Sequence, residues 1–505
     1  MGKRFVDFFR SDWGILLLLG VTRVVLHCVS NGQYGFHRDE LQTLDDARHM
    51  DWGFVAYPPI TPLIGRLELA LFGTSLVGFR FFAAVAVSVA MVSAGLITRE
   101  LGGGRREQIL TAMAVAISPV SLTQGAVLQY VSFDYLWAVG VTYFLVRLLN
   151  SEDPRWWLAI GAMLGLGMET RYTMGFLALG VVGGVLLSKA RRYLWSKWLW
   201  AGVALSLLIF LPNLVWQVRH HFISLDFLSH IHKRDVGQGR TQGFLGQQLW
   251  LCINIVTAPL ALLGLWFYLI REEGRRYRLL GWTFVVTFAL FYFAKARFYY
   301  PAPLYPVLIA AGSVVWGKWL NGLQPAWARF LQGLQWTGIL LGGALFTLLL
   351  VPIAPIGSKI WNVTSKMHDQ FREEIGWDEL AQTVAGIYNS LPPGERASTG
   401  ILTGNYGEAG ALNLYGQGLG LPRAMSGTNS FWFRGYDDRQ PQTVILVGFD
   451  FDEGNELFQR CVVSAKNTNR FGVINEESRD HPDILVCHDL RMPWPVFWQK
   501  FRRYG

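Results

Sequence analysis

No run of residues after Pro355 is long or apolar enough to cross a bilayer, whereas such runs recur from Trp13 to Val351. A span needs roughly 20 apolar residues, so the last third of the chain stands outside the membrane and Pro355 marks the firmest boundary. Cysteine is scarce: Cys28, Cys252, Cys461 and Cys487 are the only four, and their spacing excludes a thiolate metal site. The "LGGG" at 101 to 104 is not followed by the Lys-Ser/Thr of a phosphate loop, and "GNYGEAGALNLYG" lacks the context of a dinucleotide fold, so no nucleotide site is assigned. The basic stretch Met1 to Arg10 precedes an apolar run without a small-residue cleavage site, which reads as a retained first helix rather than a signal peptide.

What is present is an apolar, aromatic chain: 51% of its 505 residues are hydrophobic and 21 are Trp, with a mean hydropathy of +0.27. That is too apolar for one water-soluble fold and too polar for spans alone. About eleven transmembrane helices are expected, at 13–29, 75–97, 108–124, 132–149, 156–168, 173–188, 197–213, 248–270, 279–294, 301–316 and 333–353, several of them short for a bilayer. The formal charge of +9 does not argue for nucleic acid, because the basic residues sit in short loops. Lys3, Arg4 and Arg10, Arg105 and Arg106, Lys189 to Lys197, Arg271 to Arg278, and Lys318 with Arg329 all fall on one side if eleven spans are counted. The positive-inside bias makes that side the cytoplasm.

The segments 30–74, 125–131, 214–247, 295–300 and 355–505 then share the outer face. The first reads as an amphipathic helix around Leu41, Leu44, Ala47 and Arg48 lying at the membrane surface; the stretch at 214–247 has a similar interfacial pattern, and together they are able to roof a cavity. Beyond Pro355 the pattern alternates: helices at 377–390, 405–416 and 456–460, and strands at 397–403, 443–449, 461–466 and 484–488. A small α/β domain over 355–505 is expected, after a membrane domain over 1–354. In an oxidising space Cys461 and Cys487 are placed to pair, and two unpaired strand cysteines fit equally well.

The sharpest chemical feature is His37-Arg38-Asp39-Glu40, just beyond the first span. It reads as acidic residues opening a helix, or as a carboxylate at the membrane surface that removes a proton from an acceptor hydroxyl, with Asp39 the better base and Glu40 second. "KARFYYPAPLYP" puts Lys295 and Arg297 beside Tyr299 and Tyr300, an interfacial anchor or a cradle for a lipid phosphate. "METRYT" carries Glu169 and Arg171 between apolar stretches, where a charge costs about 2.5–3.5 kcal/mol unless it faces a partner or a cavity. A pair with Glu169 or Asp134 and a phosphate contact by Arg171 both fit. Asp134, His37 and Tyr57 are candidate substrate contacts, Asp134 as easily a helix cap. The histidines at 220, 221, 230 and 232 are not spaced for a compact metal site.

Taken together, "YGFHRDELQTLDDARHMDWGFVAYPPITPLIGRL", "FLPNLVWQVRHHFISLDFL", "KARFYYPAPLYPVLIAAGS", "NYGEAGALNLYG" and "GLPRAMSGTNSFWFRGY" resemble bacterial membrane glycosyltransferases of the GT-C superfamily. The branch they resemble includes protein O-mannosyltransferases and the aminoarabinose transferase of lipid A. The resemblance implies an inner-membrane enzyme of the cell envelope with a cytoplasmic N-terminus and a periplasmic C-terminal domain. It would invert at the anomeric carbon while moving a sugar from a polyprenyl-phosphate donor to a lipid, glycan or protein acceptor. Asp39 would be the base, and Lys295, Arg297 and Arg171 the phosphate contacts. No cofactor is implied with certainty; some relatives want a divalent cation, which His37 and Glu40 would be the pair to hold. The rival from another class is a flippase or transporter of a lipid-linked substrate, which predicts inverted repeats that the sequence does not show. A catalytically dead binding relative is the third reading.

Overall fold

A computed structural model describes residues 11–505, so the basic segment 1–10 lies outside the described residues. The helices of ten residues or more are α1 (Asp12–Ser30), α2 (Arg38–Arg48), α3 (Ile60–Phe72), α4 (Phe81–Glu100), α5 (Arg105–Ala116), α6 (Tyr130–Ser151), α7 (Trp156–Met168), α8 (Met174–Leu186), α9 (Lys197–Arg219), α10 (Ile223–Gly237), α11 (Ala258–Leu269), α12 (Arg278–Phe293), α13 (Tyr305–Asn321), α14 (Pro325–Leu350), α15 (Trp377–Ser390) and α16 (Tyr406–Tyr415). Among the described residues five, namely α1, α4, α6, α9 and α14, are long and apolar enough to cross a membrane by themselves, or six if α8 is joined to Lys189–Trp195 across a 104° bend.

Other apolar runs read as single spans are broken. The run at 108–124 stops after Ala116 and restarts at Pro119, whose missing N–H opens a helix more easily than it continues one. The run at 248–270 is a π-helical turn over Gln248–Cys252 and then α11, parted by Asn254 in the left-handed region (φ 62°). The helices at the periphery, α9 and α14, turn apolar side chains such as Leu207, Leu208, Leu340 and Leu341 outward, as helices bathed in lipid do.

The basic loops gather at one end of the bundle. Arg105 reaches Asp12 at the start of α1, Arg147 reaches Glu100, and Arg276 donates to the carbonyls of Leu149 and Asn150. The far end of α1 leads directly into α2, so α2 stands at the opposite end.

After α14 the chain builds a five-stranded sheet from β1 (Thr399–Thr403), β2 (Ala424–Ser426), β3 (Thr443–Val447), β4 (Phe458–Lys466) and β5 (Asp483–Leu490), in the order β2-β1-β3-β5-β4. β1 is parallel to both of its neighbours; β5 is antiparallel to β3 and β4. β1 and β3 are buried on both faces, which is why the β3 segment reads as a nearly unbroken apolar run. Cys461 and Cys487 face each other across β4 and β5 and are joined in a disulfide. Residues 456–460, read as helix, split between a helix over Phe451–Leu457 and the start of β4.

The α2 helix departs most from expectation. Its apolar face does not lie on the membrane surface: Leu41 and Leu44 are buried in one core with Trp377, Leu380, Ala411, Leu412 and Ile445 of the sheet-bearing unit. An amphipathic pattern reports that one face is covered, and here the cover is protein.

Candidate functional site

The HRDE segment opens α2. His37 caps the helix, its Nδ1 accepting the Asp39 backbone N–H at 3.1 Å, while Glu40 reaches back to accept the His37 N–H at 2.8 Å. This reciprocal cap fixes where the next two carboxylates point. They point in opposite directions.

Glu40 faces inward. One oxygen accepts from Arg80 Nε (2.9 Å) and the Leu128 N–H (2.8 Å), the other from Arg80 Nη2 (2.6 Å). With the His37 N–H this saturates the carboxylate, so Glu40 is corrected from second base to structural anchor. His37 Nδ1 is taken up by the cap and the Glu40 carboxylate by the cap, Arg80 and Leu128; among the described residues no group of three or more His, Cys, Asp and Glu is arranged to hold a metal ion.

Asp39 faces an open cavity of about 160 Å³. Its Oδ1 accepts from the Tyr406 hydroxyl at 2.8 Å and its Oδ2 from Gln129 Nε2 at 2.9 Å, leaving lone pairs toward the cavity. Burial pushes this carboxyl upward, but the nearby His37 and Arg38, the Tyr406 hydroxyl and Arg297 outweigh it and hold it below the ordinary aspartate value. Asp39 is the only acidic side chain among the described lining residues, against five arginines: Arg38, Arg171, Arg234, Arg240 and Arg297. A second cavity of about 320 Å³ shares Arg38, Gln129, Arg240 and Arg297 with the first and adds Asp369, Glu373 and Glu476.

Arg297 is held in a bidentate pair with Asp235 on α10 (2.6 and 2.7 Å). Arg171, in the turn between α7 and α8, lies 4.0 Å from the ring centre of Tyr300, 4.8 Å from that of Tyr130 and 5.6 Å from that of Tyr299. Its Nη1 stands 3.5 Å from Asp134 without a hydrogen bond. Asp134 is thus the partner of Arg171 and does not line the cavity, while Glu169 accepts instead from the Asn213 N–H. Lys295 is corrected as well: it is exposed, in a left-handed turn (φ 48°), and absent from both cavity walls. Tyr299, Tyr300 and Tyr57 do line the cavity, and the Tyr57 hydroxyl donates to Asp46 at 2.6 Å. Phe227, Leu228 and Ile231 of α10 give the cavity an apolar wall. Of the histidines of this region, His220 stacks on Trp216 at 4.0 Å and His230 lies against Tyr504.

Sequence reasoning missed Tyr406, Gln129, Arg234 and Arg240. Arg234 and Arg240 stand in the outer segment at 214–247, and Tyr406 in the glycine-punctuated stretch set aside as a failed nucleotide motif. An apolar groove next to a cation-rich pocket around one ionised carboxylate suits an amphiphile with a phosphate head, and a hydroxyl to be deprotonated beside it.

Comparisons with known proteins bear on the fold. Residues 56–216 match the family described as dolichyl-phosphate-mannose-protein mannosyltransferase. The fold is similar to that of ArnT from Cupriavidus metallidurans bound to undecaprenyl phosphate, with a TM-score of 0.60, 15% identity, and 94% of this chain and 98% of that chain covered. It is similar also to the same protein in the apo state, with a TM-score of 0.59, 14% identity and the same coverage. The oligosaccharyltransferase of Archaeoglobus fulgidus gives 0.48 at 11% identity over 81% of this chain and 64% of that one. No curated protein sequence matches the chain.

Proposed function

We propose that this chain, whose fold is that of the GT-C membrane glycosyltransferases, transfers a sugar from a polyprenyl-phosphate donor to a hydroxyl acceptor on the periplasmic side of the inner membrane. The observation that carries the reading is Asp39: an ionised side-chain carboxylate, oriented by two hydrogen bonds, inside a cavity lined by five arginines and an apolar wall.

In this mechanism the donor's phosphate lies against Arg171 and Arg297 with Tyr299 and Tyr300, and its lipid chain along Phe227, Leu228 and Ile231. The acceptor O–H approaches Asp39, which takes the proton as the oxygen attacks the anomeric carbon. The bond from that carbon to the phosphate oxygen breaks on the opposite face, the electron pair leaves with polyprenyl phosphate, and the configuration inverts. A phosphate leaves as an anion, so the arginines rather than an acid catalyst stabilise its departure. The ArnT relative was crystallised with undecaprenyl phosphate, which supports this class of donor.

Eleven passes, with the N-terminus in the cytoplasm, are the topology that goes with this reading. The basic loops at the end of the bundle away from α2 support that orientation, and the Cys461–Cys487 disulfide supports an oxidising compartment for the sheet-bearing unit. Whether the acceptor is lipid, glycan or protein is open to the same assay. Purified protein in nanodiscs is given radiolabelled polyprenyl-phosphate sugars and membrane extract, wild type against Asp39→Asn. Donor-dependent labelling that collapses in the variant supports transfer with Asp39 as base. Labelling that persists removes Asp39 from that role, and lipid movement across vesicles without labelling replaces the transferase with a flippase.

A further inference from the structure

The stretch "NYGEAGALNLYG", which supplies Tyr406, forms α16, which lies directly on α2. Its glycines explain the approach. A Cβ on Gly407 would come within 2.9 Å of Arg38 Cβ, and one on Gly410 within 2.6 Å of the Leu41 carbonyl oxygen, so larger residues would force the two helices apart. The start of α16 is fixed by a reciprocal cap: the Asn405 side chain accepts the Glu408 N–H at 3.0 Å, and Glu408 accepts the Asn405 N–H at 3.3 Å. Tyr406 is the first residue after that cap, and its hydroxyl lands 2.8 Å from Asp39 Oδ1.

We infer that α16 docks on α2 in order to place the Tyr406 hydroxyl on Asp39, which makes Tyr406 a positioning residue and the C-terminal sheet-bearing unit an integral part of the catalytic centre. Gln129, from the membrane-embedded half, holds the other oxygen at 2.9 Å, so the carboxylate is gripped from both halves of the molecule. Such a grip fixes the lone pair that meets the acceptor proton, and a donated hydrogen bond stabilises the ionised form. Burial and the adjacent Asp39 hold the Tyr406 phenol well above its ordinary pKa, so it remains a donor throughout the working range. Separation of the C-terminal unit from α2 would release one of the two hydrogen bonds and slacken the base.

The inference rests on Asp39 being the base, and its test reads the hydrogen bond directly. Infrared titration of the full-length protein in nanodiscs, wild type minus Asp39→Asn, isolates the Asp39 carboxyl band and its protonation midpoint. In Tyr406→Phe, which keeps the ring and removes only the hydroxyl, the midpoint rises by roughly one unit. Tyr415→Phe, at the other end of α16, leaves it in place. Turnover by Tyr406→Phe falls roughly ten-fold in kcat with the donor KM unchanged, and the acid limb of its pH profile moves up with the infrared midpoint. An unmoved midpoint in Tyr406→Phe, or an equal movement in Tyr415→Phe, overturns the inference. Failure of the glycosyltransferase reading would appear separately, as no transfer by wild type from any donor, with the infrared result standing.

Discussion

Two buried arginines at helix junctions, Arg80 before α4 and Arg171 between α7 and α8, meet opposite surroundings. Arg80 donates to Glu40 twice, to Glu374, and to the carbonyls of Asn31 and Gly35. Arg171 has one carboxylate at 3.5 Å and otherwise the faces of three tyrosines. Ring faces offset only part of a guanidinium's desolvation and leave its N–H groups for an incoming anion, whereas carboxylates and carbonyls use them up. Burial alone therefore does not distinguish an anchor from a binding group; the count of acceptors does. The same rule separates Glu40 from Asp39, one residue apart on one helix.

The comparison breaks hardest at those two carboxylates. Asp39→Asn is expected to lower kcat by about 10²–10⁴-fold, the usual contribution of a general base, with the thermal unfolding midpoint unchanged. Glu40→Gln should do the reverse: removing one partner of a buried ion pair costs about 3–5 kcal/mol, read as a large drop in the unfolding midpoint. If Glu40→Gln were stable and inactive, the roles of the two carboxylates would have to be exchanged. The arginines sharpen the contrast with a smaller effect. Arg171→Lys keeps the charge but loses the planar group stacked among three rings, and is expected to raise the donor KM roughly ten-fold. Lys295→Ala, at a residue outside both cavities, should leave donor KM unchanged; an equal rise in both variants would return Lys295 to the site.

The sequence made the apolar runs, strand β1, the buried strand β3 and the importance of the HRDE segment legible, because each is written in consecutive residues. It did not reveal that α2 packs under the sheet, since an amphipathic face looks the same whether lipid or Ala411 and Leu412 cover it. Nor did it separate Asp39 from Glu40: what divides them is Arg80, forty residues on, and Tyr406, on a helix more than three hundred residues away in the chain. Arg297 was readable beside two tyrosines, but so was Lys295, and only a left-handed turn at Lys295 sends the two side chains to different places. Pairings between distant elements are where reading by spacing stops.

The smallest effect lies at the junction of the two units, in Glu408, which caps α16 and is buried to 1% exposure. Burial, with a smaller push from Glu477, raises its carboxyl to about 8, against the opposing hydrogen bond from the Asn405 N–H. A carboxyl whose folded value lies above its unfolded one binds more protons when folded, so its contribution to stability is present at low pH. That contribution is lost as pH rises from the ordinary glutamate range to about 8. Glu408→Gln keeps the shape and removes the charge, and it retains an oxygen for the Asn405 N–H. The variant is expected to unfold on the order of a few °C higher than wild type at pH 9 and within error of it at pH 4, by scanning fluorimetry of the full chain. A gain of the same size at both pH values would mean that the carboxyl does not titrate on folding, and that the glutamine acts through packing or its extra N–H groups alone.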